Sequence, residues 1–210
     1  MTTQQAAAAA LGGTRWRRFT LAFGVSFGAI ATVLVLMANG VIAAPVTISG
    51  TVFTVKATSL VSHSPGSGAA FIQYGSVDSN GSAPTGVAVT YLPGGGVLSG
   101  LDQVVCGPTG LPGPFANLVV ELKADSADAT GGLIVDATSL NAATATFNNI
   151  QIGVPAPNGI PDTASVGKFA QTADGVTITG LNQQAVYTKA GTFALTNLGL
   201  SAHLAGSCPS

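Results

Sequence analysis

The fold is decided by residues 45–57, which read PVTISGTVFTVKA. Valine and isoleucine alternate there with threonine and serine, and this period of two is typical of a β-strand with one buried face. Gly50 interrupts the alternation and predicts a bulge or kink. We therefore expect a chain rich in strands and almost without helices. Segments of the same β-branched and aromatic character follow at residues 71–77, 86–92, 118–124, 133–135, 144–152, 176–181, 184–188 and 192–204.

Turn-forming residues separate these predicted strands. Asn80-Gly81, Gly131-Gly132 and Asn158-Gly159 favour turns, because glycine and asparagine adopt backbone angles that other residues avoid. About eight to ten strands in one domain predict an all-β fold, an antiparallel sandwich or a barrel-like sheet. The motif ATSL, at residues 57–60 and again at 137–140, leaves a β-solenoid as the alternative.

A segment of different character precedes the strands. Residues 19–44 carry no charged side chain, and Arg15, Arg17 and Arg18 stand directly before them. Basic residues followed by an apolar run are typical of an export signal. We expect residues 1–44 to be a cytoplasmic n-region plus a signal peptide, cleaved near Ala44, or a retained signal-anchor helix. Residues 45–210 are then an exported β-rich domain, extracellular or in the cell envelope, and membrane-anchored if the leader is retained.

The charge of the predicted exported part excludes one class of partner. It contains no arginine, four lysines and eight acidic residues, which gives a formal net charge of −4. A nucleic-acid backbone needs clustered cations, so nucleic-acid binding is excluded. The sequence has no phosphate-binding loop, zinc motif or dinucleotide motif, and we therefore predict no cofactor and no metal site. The partners left open are the membrane through residues 19–44 if uncleaved, an envelope component, a second copy of the chain, and lipid.

Cys106 and Cys208 are the only cysteines. Outside the reducing cytoplasm such a pair favours a disulfide, which would fasten the C-terminus to the middle of the chain. Two irregular segments accompany this prediction. Residues 93–114, rich in glycine and proline, are interpreted as a tether around Cys106. Residues 153–167 are expected to form a long surface loop, which either binds a partner or only connects strands.

No combination of residues identifies a reaction, so no catalytic residue is predicted. A serine esterase of the α/β-hydrolase kind needs the motif Gly-x-Ser-x-Gly, and the segment around Ser67 is instead a flexible loop. His63 or His203 could act as a base with Asp78 or Asp174 as its orienting acid. A ligand-binding alternative rests on apolar side chains, which would line a pocket or simply fill the core: Phe71, Phe147, Ile150, Phe193, Leu198 and Leu200.

Four segments carry a family resemblance. They are residues 71–78 (FIQYGSVD), 146–153 (TFNNIQIG), 167–178 (GKFAQTADGVTI) and 190–193 (AGTF). Together they resemble an actinobacterial family of exported proteins of uncharacterised function, over the leader and nearly all of the exported part. The resemblance implies a basic n-region, one apolar segment, a β-rich domain and a cysteine pair. Some members carry the automatic label cholesterol esterase, which implies that activity.

Three functional hypotheses follow from the sequence. The first is a non-catalytic protein of the cell envelope or surface that acts by interaction or assembly. The alternative is a carrier or binder of an apolar, lipid-like ligand. The third is an esterase, as the family label suggests.

Overall fold

The computed structural model describes residues 47–66, 68–78, 80–82 and 84–209, and the predicted leader lies outside them. This part of the chain is all-β, as the sequence predicts, with two short 3₁₀ turns at Gly113–Phe115 and Thr163–Ser165. The strands are β1 (Thr47–Ser62), β2 (Phe71–Val77), β3 (Pro84–Leu92), β4 (Gly96–Pro108), β5 (Asn117–Asn141), β6 (Thr144–Asn148), β7 (Gln151–Pro155), β8 (Phe169–Ala173), β9 (Gly175–Thr196) and β10 (Gly199–Ala205).

Four antiparallel strands close a barrel. β1 pairs with β4, β4 with β5, β5 with β9, and β9 with β1. Along β5, the ladder to β4 ends at Ala129 and the ladder to β3 begins at Leu133. Between these two ladders lie Gly131 and Gly132, whose positive φ angles of 70° and 90° suit glycine. β5 therefore changes its neighbour on one edge from β4 to β3, while residues 126–141 pair with β9 on the other edge and close the barrel.

Outer strands extend the barrel on three sides. β3 continues through β2 and β8 to β7, β6 pairs with β9, and β10 pairs with β5. The two copies of the ATSL motif lie in β1 and β5, on either side of β9, where Ala57 is opposite Leu181 and Ala137 is opposite Ala185. The motif therefore marks two neighbours of one strand and not successive coils of a solenoid.

The main core fills the barrel. Phe53 of β1, Leu101 of β4 and Leu181 of β9 are buried in it, and Phe71 of β2 joins the same cluster. Burial of such side chains is worth about 1.5–3 kcal/mol each. These contacts make the barrel the rigid frame of the molecule.

A second core lies on the outer face of the sheet. Successive residues of a strand point to opposite faces, so Ile72 packs here while Phe71 packs in the barrel. Tyr74 and Val89, which are opposite each other in β2 and β3, belong to this second core. Ala156 and Ile160 cover them from the segment after β7. The segment predicted as a surface loop is therefore anchored by buried residues.

Several predicted boundaries differ from the observed ones. The 93–114 segment, interpreted as a tether, contains β4. Residues 144–152 form two strands, because Asn149 has a positive φ of 50° and interrupts the extended backbone. The predicted bulge at Gly50 is confirmed by a register shift between Ser49 and Phe53. In the part of the chain described, no helix is long and apolar enough to cross a membrane.

Candidate functional site

The structure contains the predicted disulfide. Cys106 and Cys208 are joined, with an S–S distance of 2.00 Å and a Cα–Cα distance of 5.7 Å. The side-chain amide of Asn117 also donates a hydrogen bond to the Gly206 carbonyl oxygen at 3.2 Å. Because Cys106 belongs to β4, the tail after β10 runs back across β5 to reach it. The tail therefore leads away from the open edge of β10.

The aromatic residues suggested as pocket lining lie in or beside the barrel. The Phe71 and Phe147 ring centroids are 5.1 Å apart. Phe193 lines an interior cavity of about 40 Å³ with Val55, and Phe71 lines a neighbouring cavity of about 30 Å³ with Leu60. Ligand pockets commonly have about 300–1,000 Å³, so neither cavity has room for a sterol or an acyl chain.

The other three suggested lining residues lie closer to the surface. Ile150 and Leu200 are exposed, and Leu198 is half-buried. Ile150 lies between β6 and β7, Leu198 lies between β9 and β10, and Leu200 is the second residue of β10. The six suggested residues are therefore divided between the barrel core, its margin and the molecular surface.

Neither histidine is hydrogen-bonded to Asp78 or Asp174, the two acids suggested as its partners. His63 Nε2 lies 2.8 Å from Asp128 Oδ1, and both side chains are well exposed. Asp78 instead accepts hydrogen bonds from backbone N–H groups in its own turn, and Asp174 accepts one from Asn149. His203 is exposed on β10. Among the described residues, no hydrogen bond joins a serine hydroxyl to either histidine; Ser67 lies outside them.

A polar groove of about 340 Å³ lies on the outer face of the sheet. Its floor and walls come from β2, β3, β5 and β9, and its rim from the segment before the Thr163–Ser165 turn. The register explains the grouping, because Asp136 of β5 lies between Val89 of β3 and Tyr187 of β9. The groove is lined by Tyr74, Ser76, Val89, Ile134, Asp136, Pro161, Asp162, Tyr187 and Lys189.

Tyr74 stands out among these residues. It is only 2% exposed, and its hydroxyl is buried without a hydrogen-bond partner among the described residues. Burial raises the pKa of this hydroxyl to about 12, and the nearby backbone of Asp162, although outside hydrogen-bond geometry, partly opposes that effect. The phenol therefore stays protonated and retains an unused donor.

The two carboxylates of the groove differ in environment. Burial raises the pKa of Asp136, and the negative charge of Asp162 raises it further. Asp162 is held in place by Ser165 Oγ, which donates to its Oδ2 at 2.6 Å, and by the backbone N–H of Ala164, which donates to its Oδ1 at 3.2 Å. The Asp162 carboxylate is thus fixed by its own turn.

The sequence contained a signal for only part of this groove. The proline-rich segment 153–167, which the sequence predicts as a surface loop with a possible binding role, supplies Pro161 and Asp162. Asp136 was missed, although it is the one charged residue in the apolar stretch LIVDA at residues 133–137. Tyr74, Tyr187 and Lys189 gave no signal, because they come from distant strands whose pairing is not visible in the sequence.

The groove has a mixed polar and apolar lining. It combines carboxylate acceptors, hydroxyl donors and one ammonium group with apolar walls. Within the described residues, no three histidine, cysteine or acidic side chains are grouped as metal ligands. A second open groove of about 460 Å³ lies on the other side of the 156–166 segment and includes Ile72, Tyr91 and Pro157.

Comparison with known proteins identifies a family and no function. No curated protein matches the chain, and no solved structure matches it. The model of a family of unknown function, DUF6230, matches residues 49–209, which include all the described strands except the first two residues of β1. The chain therefore belongs to this family of unknown function, DUF6230.

Proposed function

We propose that this chain is an exported, non-catalytic protein of the cell envelope or surface that acts by interaction and assembles with copies of itself through β10. The basic and apolar leader supports export, because it has the charge and hydropathy of a signal. The disulfide is consistent with an oxidising compartment. The main support for assembly is the edge of β10 that faces away from β5, which is unpaired among the described strands.

β10 has the properties of a strand that is ready to pair. It pairs with β5 alone among the described strands, and six of its seven residues are exposed. Proteins usually protect edge strands with lysine, proline or a bulge. β10 contains none of these residues, and its register with β5 is unbroken from Gly199 to Ala205. By contrast, the edge strand β7 carries Pro155 and a register shift after Ile152.

The sequence of β10 is complementary to itself. In an antiparallel pair centred on Ala202, Leu200 of one copy would face Leu204 of the other, and Ser201 would face His203. Leu200 and Leu204 are 49% and 48% exposed, and they share a face with Leu118, which is 44% exposed. Paired leucines would cover this apolar surface, and no like charges would be opposed.

The expected association is weak. Each cross-strand pair contributes about 0.2–1 kcal/mol, and part of this gain offsets the cost of association. We expect a dissociation constant of roughly 10 µM to 1 mM, which corresponds to about −7 to −4 kcal/mol. A retained membrane anchor would raise the effective concentration and favour the assembled form.

Two other functions have less support. A carrier of an apolar ligand would need a larger interior than the cavities of about 40 and 30 Å³. An esterase would need a nucleophile beside a histidine, and among the described residues no serine hydroxyl is hydrogen-bonded to His63, which is paired with Asp128, or to His203. A native mass spectrum of the exported domain from its own host separates the hypotheses, because co-purified lipid would favour the carrier.

Sedimentation velocity over a series of concentrations, up to millimolar protein, tests the assembly. We expect a dimer fraction that grows with concentration in the oxidised protein. Ala202→Lys would place two ammonium groups opposite each other at the centre of the pair and should abolish the dimer. Ala145→Lys, on the exposed edge strand β6, is the matched control and should leave it intact. A protein that stays monomeric, or dimers that are equally sensitive to both variants, would overturn the assembly proposal.

A further inference from the structure

We propose that the groove between Tyr74, Asp136 and Lys189 binds a neutral polyhydroxylated ligand, such as one sugar unit of a glycan. This inference goes beyond the assembly through β10 and does not depend on it, because the groove lies on a different part of the sheet. It rests on an unused buried donor, on the mixture of polar groups around it, and on the size of the groove.

The buried Tyr74 hydroxyl is the first observation. A buried polar group without a partner costs about 1–3 kcal/mol, so such groups are rare and need an explanation. Tyr74 is 2% exposed, lines the groove, and has no hydrogen-bond partner among the described residues. The hydroxyl is closed to solvent in the ligand-free protein, so we expect a ligand oxygen to supply the missing acceptor after a small shift of the Tyr74 side chain or of the groove rim.

The groups around Tyr74 match the hydroxyls of a sugar. A sugar hydroxyl both donates and accepts, so its site needs both kinds of partner. Asp136 and Asp162 provide carboxylate acceptors, while Tyr187 and Lys189 add donors to that of Tyr74. Adjacent hydroxyls of one ring can donate to the two oxygens of a single carboxylate. Val89 and Ile134 offer apolar surface for the carbon-bound hydrogens of the ring.

The charges of the groove argue against ionic ligands. Lys189 would repel a metal ion or an organic cation, and two carboxylates are too few oxygen ligands for Ca²⁺, which takes about six to eight. Asp136 and Asp162 would repel a phosphate or a carboxylate. A neutral ligand with many hydroxyls avoids both repulsions.

The groove also has the volume and the rigidity to bind one sugar unit. Its volume of about 340 Å³ lies at the lower end of the range of about 300–1,000 Å³ for small-molecule sites. Hydrogen bonds from Ser165 and Ala164 hold the Asp162 carboxylate in position. The paired strands β2, β3, β5 and β9 fix the backbone of the other lining residues, so binding would cost little backbone ordering.

The test uses ¹H–¹⁵N correlation spectra of the oxidised exported domain titrated with methyl α-glucoside, methyl α-galactoside and methyl α-mannoside. Choline chloride and inorganic phosphate serve as the cationic and anionic probes. We expect saturable shifts of groove residues with at least one glycoside at millimolar concentration. Asp136→Asn and Tyr74→Phe should each weaken binding about tenfold, the effect of losing one hydrogen bond.

The stability of Tyr74→Phe separates a binding role from a structural one. This variant removes only the unpartnered hydroxyl, so the ligand-free protein should melt at an equal or higher temperature while its glycoside affinity falls. Tyr91→Phe, in the neighbouring groove, is the matched control and should bind like the wild type. The absence of shifts with all three glycosides, preferential binding of choline or phosphate, or unchanged affinity in Tyr74→Phe and Asp136→Asn would overturn the proposal.

Discussion

Removing the disulfide should destabilise the protein in a specific place. Cys106 and Cys208 are 102 positions apart in sequence. By the chain-entropy argument, a cross-link across about 100 residues stabilises the fold by up to about 4.7 kcal/mol. In a domain of this size, each kcal/mol changes the melting temperature by about 2–4 °C. Cys208→Ser should therefore lower the melting temperature by at most about 10–19 °C.

The structure indicates that part of this loss is local to β10. This strand has no buried residue and pairs with β5 alone among the described strands. Each of its backbone hydrogen bonds contributes about 0.5–1.5 kcal/mol, whereas ordering each residue costs about 1–2 kcal/mol. Pairing with β5 alone therefore leaves β10 with little stability, and the disulfide supplies the rest.

Hydrogen exchange measured by mass spectrometry, together with thermal unfolding, checks this reasoning. In Cys208→Ser, amides of Gly199–Ala205 should exchange much faster, while amides of β1 and β9 should keep their protection. The double variant with Cys106→Ser should behave identically, which excludes effects of a free thiol. Unchanged protection of β10, or equal melting of the oxidised and reduced wild type, would refute the argument.

Two further predictions concern the β3–β4 hairpin and the groove. Gly95→Ala should lower the free energy of unfolding by more than about 3 kcal/mol, because the new Cβ would lie 1.9 Å from the Ala129 carbonyl oxygen at a φ of +84°. Gly159 has a similar φ of +86° but lies in open space, so Gly159→Ala is the control and should lose only about 1 kcal/mol. Urea unfolding of both variants measures the difference. The pKa of Asp136 is raised in the folded protein, so above about pH 4 the unfolded chain loses this proton before the folded chain does. The wild type should therefore lose stability as pH rises through this range. Asp136→Asn has no such proton and should gain stability relative to the wild type. Urea unfolding at several pH values checks it, and a stability difference that does not change with pH would contradict it.

Local patterns predicted most of the strands, because alternation and turn residues act over a few positions, but they missed β4 in the glycine- and proline-rich segment 93–114 and joined the end of β9 to β10 as one strand, 192–204. β2 matches its predicted bounds, Phe71–Val77. The continuous strand β5 was not predictable in the same way. Gly131-Gly132 is typical of a turn, yet here it lies within a strand whose edge changes partner from β4 to β3. The pairing of strands depends on packing between residues far apart in sequence, which local patterns do not contain.

The groove was less predictable than the fold for the same reason. Its polar residues come from β2, β5, β9 and the segment before the Thr163–Ser165 turn, and no spacing in the sequence joins them. Only the sheet register brings Asp136 beside Tyr187. The disulfide was predictable because the protein has two cysteines and therefore one possible intramolecular pair.

In the functions proposed above, different parts of the fold provide stability and interaction. The barrel is filled, so its interior stabilises the protein and has little space for a ligand. The outer face has its own small core, which fixes the 156–166 segment and with it the rim of the groove. For stability alone, phenylalanine at position 74 would serve as well as Tyr74, because the hydroxyl is buried without a partner among the described residues. The same reasoning applies to β10, whose exposed leucines contribute little to the core. Interaction is therefore to be sought at these two outer surfaces, and the barrel is the frame that holds them.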